Sequence, residues 1–425
     1  MKTSLSLAVL LAASTAASIS YAQLPAARAG DWPWWRGPNR NGIAESEQRT
    51  PVAWSESENV AWKVPVPGRG HSSPTVAANR VFLTTADEQA EVQSVLCFDR
   101  GTGKQLWKHD VARGGFPSRI NPKNTHASPS AACDGTRVFS AFLTHDGIQV
   151  VALDLDGKPI WERVAGRFTP DEYKNGYAAS PLLYGRFVII AGDFDGDAFL
   201  VALDRETGRQ VWRTPRPPRI NYASPIVADI AGRHQLLISG GDIVASYDPR
   251  SGKQLWKVAA TTMATAGTMV WEGDLVFASG GYPDAETVCV RADGSGEILW
   301  RNRQKCYEQS MLAVDGHVYA INDNGIALCW NAETGEEQWR KRLGGPISAS
   351  PVLSGELIFA SNELGTTWVY RATPQKFDLV TKNEVGTDAF STPSICGNQI
   401  FLRVGESADG KRQEMLYCIE AAGTK

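Results

Sequence analysis

No two cysteines in this 425-residue chain are adjacent or spaced as Cys-x-x-Cys, although it holds seven of them. The usual zinc and thiol–disulfide redox spacings are therefore missing. The chain also has no Gly-x-Ser-x-Gly nucleophile turn, no His-Glu-x-x-His and no phosphate-binding glycine loop, which removes the common hydrolase and nucleotide-binding signatures. Its 43 Lys and Arg are balanced by 46 Asp and Glu, for a formal net charge of −3. Without a basic excess, nucleic acid is not an expected partner. Beyond the N-terminal leader no apolar run approaches the about 20 residues that a bilayer-crossing helix needs.

The leader is the first positive signal. Lys2 supplies a charged start, Leu5 to Ala13 is apolar, and Ser20-Tyr21-Ala22 has the small-x-small form of a cleavage site. Residues 1–22 are read as a signal peptide, with no transmembrane segment left after its removal. No cysteine follows the cleavage site, so lipid modification there is not expected. The mature chain is expected to be periplasmic or secreted. It divides into a Trp-rich capping segment at 23–59 and a repeat domain at 60–425.

The repeat has two halves. The first is Asp-x-x-Thr-Gly-x-x-x-Trp, running from Asp99 to Trp107 and recurring from Asp204 to Trp212 and from Asp248 to Trp256. Asp154 to Trp161 is one residue shorter, Asn331 to Trp339 substitutes Asn, and Ala292 to Trp300 keeps the spacing. Asp or Asn accepts hydrogen bonds from N–H groups two or three residues on, and Gly supplies a positive φ, so each stretch is a β-hairpin. The second half is a Ser-Pro step before an apolar strand, as at Ser73-Pro74, Ser128-Pro129, Ser180-Pro181, Ser224-Pro225 and Ser350-Pro351. Thr392-Pro393, Gly267-Thr268 and Ser310-Met311 are degenerate copies. Each unit offers four short strands, A to D, which describes a propeller blade.

The ends of the array predict how the ring closes. The last unit stops near Glu420 without a Trp strand, while Val60-Ala-Trp62-Lys-Val64 is a Trp strand with no unit before it. Pairing them completes an all-β, eight-bladed β-propeller of four-stranded blades and removes two open edges. Trp62, Trp107, Trp161, Trp212, Trp256, Trp300 and Trp339 are then structural, each packed between neighbouring blades. The seventh unit carries Val380 where Trp is expected. Cys97, Cys329 and Cys418 share one strand position and read as buried core residues.

The Ala-Leu-Asp-x-x-Thr-Gly-x-x-x-Trp runs resemble the PQQ-type, quinoprotein-like propeller repeat. That repeat is found in quinoprotein alcohol dehydrogenases and in the periplasmic propeller lipoprotein of the outer-membrane barrel assembly complex. The resemblance covers residue 60 to the end. The segment Trp32-Pro-Trp-Trp-Arg-Gly-Pro-Asn-Arg-Asn-Gly42 is similar to the start of secreted bacterial PQQ-like repeat proteins. The resemblance implies two functional classes. One is a non-catalytic binding or scaffold protein of the cell envelope, a monomer that holds an envelope protein or glycan. The other is a PQQ-dependent oxidoreductase acting on alcohols or sugars, with calcium. The paired cysteines that cover the quinone in those enzymes are absent, and no Asp, Glu and Asn set matches theirs. The reading therefore favours binding, with no catalytic residue and no cofactor assigned.

Residues just before each Ser-Pro step should crowd one mouth of the channel. Counting two before the Ser places His71, His126, Tyr222 and Glu308 there, with Tyr177 adjacent, as a candidate ligand site. Asp193-Phe-Asp195-Gly-Asp197 falls in a B–C hairpin on the same face. Its alternating carboxylates are a candidate calcium site, although the pattern is not an EF-hand and equally suits a tight turn.

Overall fold

Asp99 shows how each hairpin forms. Its carboxylate accepts Thr102 N–H at 2.9 Å and the Thr102 hydroxyl at 2.7 Å, while its carbonyl accepts Gly103 N–H at 2.9 Å. The same turn recurs around Asp204 and Asn331. In the computed structural model, which describes residues 27–45 and 48–421, these hairpins build eight four-stranded antiparallel sheets. The signal peptide read at 1–22 lies outside the described residues, as do 23–26, 46–47 and 422–425. Blades 1 to 7 span 75–113, 132–167, 182–215, 226–259, 270–302, 312–342 and 352–384. Their strands follow chain order from A to D. The protein is an all-β, eight-bladed propeller, and no helix occurs among the described residues.

Blade 8 closes the ring. Its first three strands are Ser394–Cys396, Gln399–Ala408 and Lys411–Glu420, and its fourth is Val60–Val66 from the other end of the chain. Trp62 lies opposite Cys418 and Val64 opposite Leu416. The expected strand is thus present and extends two residues further.

The Trp residues join blade to blade through one geometry. Six of the seven indole N–H groups donate to a carbonyl in the next blade's C–D turn at 2.8–3.2 Å, as Trp161 does to Arg205. The turn glycine lies beneath the ring. A Cβ on Gly103, Gly157, Gly208, Gly252 or Gly335 would fall 2.5–2.7 Å from the preceding blade's Trp. That glycine is therefore required both for its positive φ and for the space it leaves. Trp256 is the exception. Its N–H donates to Gln235 Oε1 at 2.7 Å, and Gln235 Nε2 donates onward to Ala292 O at 2.8 Å. The buried Gln235 relays the link, and the blade 5 turn glycine, Gly296, has nothing within 4 Å of its Cβ position.

Blade 7 corrects one expectation. The register pairs Val369 with Thr381, so Thr381 and not Val380 holds the Trp position. The vacant place is filled from the N-terminal segment. Trp54 is 4% exposed and stacks on Phe359 at 6.2 Å and 13°. Phe359 is the residue equivalent to Phe82 and Phe139, which contact Trp107 and Trp161 in their own blades.

All seven cysteines are free and buried. Cys97, Cys329 and Cys418 face the Trp position, as expected, and Cys289 joins them opposite Trp300. Burial pushes the thiols of Cys97, Cys289 and Cys329 up to about 12, which leaves them inert at neutral pH.

Residues 27–45 lie along the inner A strands. Trp32 exchanges backbone hydrogen bonds with Val76 at 2.7 and 2.8 Å, and Pro33 O accepts Cys133 N–H at 2.7 Å. Arg36, 1% exposed, donates to Pro351 O at 2.9 Å and Met311 O at 2.7 Å. Trp35 Nε1 reaches Thr268 Oγ1 at 2.8 Å. The segment therefore stitches blades 1, 2, 5, 6 and 7 together across the axis and fills one end of the channel.

Candidate functional site

The other end of the channel is ringed by the Ser-Pro steps. Seven of the eight ring hydroxyl oxygens accept the backbone N–H of the preceding blade's ring residue, and the eighth, on Thr268, accepts Trp35 Nε1 instead. Ser73 donates to Ser130, Ser130 to Ser180, and Ser180 to Ser224, at 2.9–3.0 Å. Thr268 donates to Ser310, Ser310 to Ser350, Ser350 to Thr392, and Thr392 to Ser73, at 2.8–3.0 Å. This belt explains why the repeat needs Ser or Thr. A small hydroxyl satisfies a buried N–H that no strand partner can reach. It also shifts one assignment. The belt member in blade 2 is Ser130, so Ser128-Pro129 lies two residues ahead of the true step.

Above the belt lies an axial cavity of about 180 Å³. Trp35 forms its floor, and Tyr222, Tyr307, Glu308, Ser348 and Phe390 contribute to its walls. Two inter-blade segments, 114–131 and 168–181, are longer than the other six and fold over the mouth. They hold each other through Asn124 Nδ2 to Asn175 O at 2.6 Å. The first is anchored across the axis by Lys123, whose ammonium lies 2.6 Å from Glu363 of blade 7. The second is anchored by Tyr173, whose hydroxyl lies 3.1 Å from that of Tyr282 of blade 5.

The polar wall is a chain of groups. Glu308 meets the Ser348 hydroxyl, which also lies 2.7 Å from Glu363, and Glu363 is paired with Lys123. Ser348 has one proton for two carboxyl contacts. Burial raises the Glu308 pKa, whereas Glu363 carries the lysine.

The sequence-predicted residues separate. His71, Tyr222 and Glu308 all line the cavity. His71 stacks on Phe390 at 4.4 Å and 9°, and burial, followed by the Arg403 charge, lowers its pKa to about 3, so it is neutral. Asn175 Nδ2 donates to Tyr222 Oη at 2.8 Å, and burial raises the tyrosine's pKa. His126 is not in the cavity. Because the blade 2 step is Ser130, His126 lies too far upstream, stacked on Phe116 at 4.2 Å beside a separate pocket with Glu88 and Glu91. Tyr177 points into the core, edge-on to Phe168, and donates to Ala191 O at 3.0 Å.

The three carboxylates of 193–197 do not converge. Asp193 is buried against Arg216 at 2.8 Å, Asp195 accepts the N–H groups of Asp171 and Glu172, and Asp197 is exposed. Among the described residues no group of three or more His, Cys, Asp or Glu side chains is arranged to hold a metal ion. Residues 193–197 form an irregular B–C loop rather than a strand, and one of the three carboxylates is committed to a buried ion pair.

Sequence reasoning missed Lys123 and Glu363, whereas Ser348 falls at the position two before the Ser of its own step and Trp35 belongs to the capping segment. The length of segment 114–131 was the available signal for Lys123. Nothing local marks Glu363, which matters only because blade 7 lies across the axis from the lid.

The residues present do not fit a quinone of the PQQ type. Such a fused tricarboxylate needs several cations and a carboxylate–amide cradle for its metal. The cavity offers one ammonium, Lys123, already paired with Glu363. Its volume also lies below the about 300–1,000 Å³ of sites for drug-sized ligands.

A ring of eight W-shaped blades, an N–H-to-hydroxyl belt and Trp-on-Gly stacking define a PQQ-type propeller. The chain matches the family model described as "Outer membrane protein assembly factor BamB" over residues 91–328 and 283–374, and it belongs to this family. It is 25% identical over 376 residues to the outer membrane protein assembly factor BamB of Bordetella pertussis, covering 84% of this chain and 88% of that one. It is 27% identical over 268 residues to the 1-butanol dehydrogenase (quinone) of Thauera butanivorans, covering 56% of this chain but only 38% of the enzyme. Among solved structures, BamB from Moraxella catarrhalis superposes with a TM-score of 0.59 at 16% identity, covering 86% of this chain and 98% of that one. A europium-containing methanol dehydrogenase superposes with a TM-score of 0.66 at 11% identity, covering 92% and 98%. These two likenesses establish the fold alone.

Proposed function

We propose that this protein is an exported, non-catalytic binding and scaffold propeller of the cell envelope, periplasmic or secreted, whose blade rims hold an extended segment of an envelope protein. The observation that carries this reading is the chemistry of the outermost strands. Every D strand has one free edge, and several expose apolar side chains there: Leu106 at 44%, Ile160 at 43%, Val164 at 64%, Val211 at 46% and Leu379 at 49%. A free edge with apolar side chains beside unpaired N–H and C=O groups is the template that strand addition uses. Blades 1, 2 and 3 carry four of these residues side by side. The similarity to assembly factors along nearly the whole of both chains supports the same class.

Site-specific photo-crosslinking in cells tests the proposal. A photoreactive residue at Val164 or Leu106 is expected to form adducts with envelope proteins. One at Arg301, on the D strand of blade 5, serves as the control. Adducts absent from the first two positions, or equal at all three, would contradict the rim as the partner surface.

A further inference from the structure

We propose that the axial cavity is a binding site for one uncharged sugar ring, a pyranose that stands on the Trp35 floor with its hydroxyl groups against the belt and the Glu308 wall. Three features of the cavity lead there.

The first is its hydrogen-bonding capacity. The hydroxyl oxygens of Ser73, Ser130, Ser180 and Ser224 each accept one backbone N–H, but among the described residues none of these hydroxyls has a protein acceptor for its own proton. All four line the cavity. Four donors therefore lie in an arc at the bottom of a space whose walls hold acceptors. Among the described residues, Tyr222 Oη accepts from Asn175 and has no acceptor for its own proton, Asn175 Oδ1 receives no donor, and one oxygen of Glu308 is committed. A ligand that satisfies this set must both donate and accept at several points round a small perimeter. Vicinal hydroxyl groups do so, since each offers one donor and two acceptor lone pairs.

The second is charge. His71 is neutral, and Lys123 and Glu363 cancel. No unpaired cation among the lining residues is available to offset a phosphate or carboxylate, and a lone charge buried here would go uncompensated.

The third is shape. Trp35, Tyr307 and Phe390 give apolar ring faces, which suit the C–H faces of a pyranose while its edge hydroxyls meet the polar wall. About 180 Å³ admits one ring and excludes a disaccharide lying wholly inside. The lid segments 114–131 and 168–181 would then close over the free sugar, or over the terminal residue of a glycan.

Saturation-transfer NMR on the whole protein tests this, with D-glucose, D-galactose, D-mannose and N-acetylglucosamine as probes, and glucuronate and inorganic phosphate as charged controls. At least one neutral sugar is expected to bind with a dissociation constant of about 10 mM or tighter. Maltotriose alongside glucose distinguishes a glycan terminus from a free sugar. Ala178 lines the cavity, and Ala178→Phe, which fills it, should weaken binding at least tenfold. Glu308→Leu should do the same by removing the wall's hydrogen bonds, which keeps a test in hand if the larger side chain prevents folding. Failure of all four neutral sugars, charged sugars binding as tightly, or less than tenfold loss in the variants would overturn the proposal. The inference does not rest on the rim, so its failure would leave the crosslinking result standing, and the reverse also holds.

Discussion

Replacing Gly208 and Gly296 separately by alanine isolates the contact that joins one blade to the next. The two residues hold the same place in the C–D turns of blades 3 and 5, with φ of +69° and +72°. Alanine in this left-handed region costs roughly 1–2 kcal/mol at either position. The surroundings differ. At Gly208 the new Cβ would lie 2.7 Å from the Trp161 ring, whereas at Gly296 it meets nothing within 4 Å because Trp256 turns to Gln235. Overpacking of a filled contact adds about 1–3 kcal/mol. Gly208→Ala should therefore cost about 2–5 kcal/mol and Gly296→Ala about 1–2 kcal/mol. Equilibrium urea denaturation of both variants measures the difference. A second arm repeats Gly208→Ala in a Trp161→Ala background, where the excess should vanish and leave a coupling energy of about 1–3 kcal/mol. Equal costs for the two glycines, or strict additivity with Trp161→Ala, would refute the claim that the turn glycine exists partly to seat the neighbour's indole.

Other consequences follow from particular residues. Trp54→Ala should destabilise the ring by about 3–5 kcal/mol, and adding Thr381→Trp should recover part of that loss by restoring the blade's own indole on Phe359; thermal denaturation of the pair reads both. Asp193→Asn leaves the buried Arg216 charge unpaired and should cost about 3–5 kcal/mol, while Asp197→Asn at the exposed end of the same hairpin should stay within about 0.5 kcal/mol, both measured by urea denaturation. His71 faces Arg403, Arg69 and Arg412, with Asp388 opposing them, and its pKa falls from 6.5 to about 3 on folding. The unfolded chain then binds the extra proton, so stability should be unaffected above pH 6.5 and should fall as the pH drops from there towards 3, by up to about 1.4 kcal/mol per pH unit. His71→Phe, which keeps the stack on Phe390, should flatten that part of the stability–pH profile.

The ring was legible in the sequence because its devices are local. Asp99 to Gly103 makes its turn from its own side chain and carbonyl, and Trp107 sits at a fixed distance from that turn, so spacing alone reveals both. The closing strand was legible because an orphan Trp62 and a missing last strand can satisfy only each other. The register of degenerate copies was less so. Ser128-Pro129 looks more like the repeat than Ser130-Ala131, but the belt selects the residue whose hydroxyl accepts the preceding blade's N–H. Thr381 was hidden because the C–D turn of blade 7 is two residues longer than that of blade 1: Tyr370 pairs with Leu379, where Phe98 pairs with Gln105. The cavity was only half visible. His71, Tyr222 and Glu308 follow from counting back from the belt, but Trp35 arrives from the capping segment and Glu363 from a blade across the axis. Contacts between segments 240 residues apart leave no periodic trace.

The same eight-bladed ring carries assembly factors and quinone enzymes, and the central claim is that this chain uses it for binding rather than for quinone chemistry. The most direct measurement is a titration of the purified protein with PQQ and calcium, followed by absorbance and by dye reduction in the presence of alcohols and sugars. The cavity's size and its single, already paired ammonium predict no stoichiometric quinone spectrum and no substrate-dependent dye reduction. One equivalent of tightly held quinone, with turnover on an alcohol or sugar, would contradict the account.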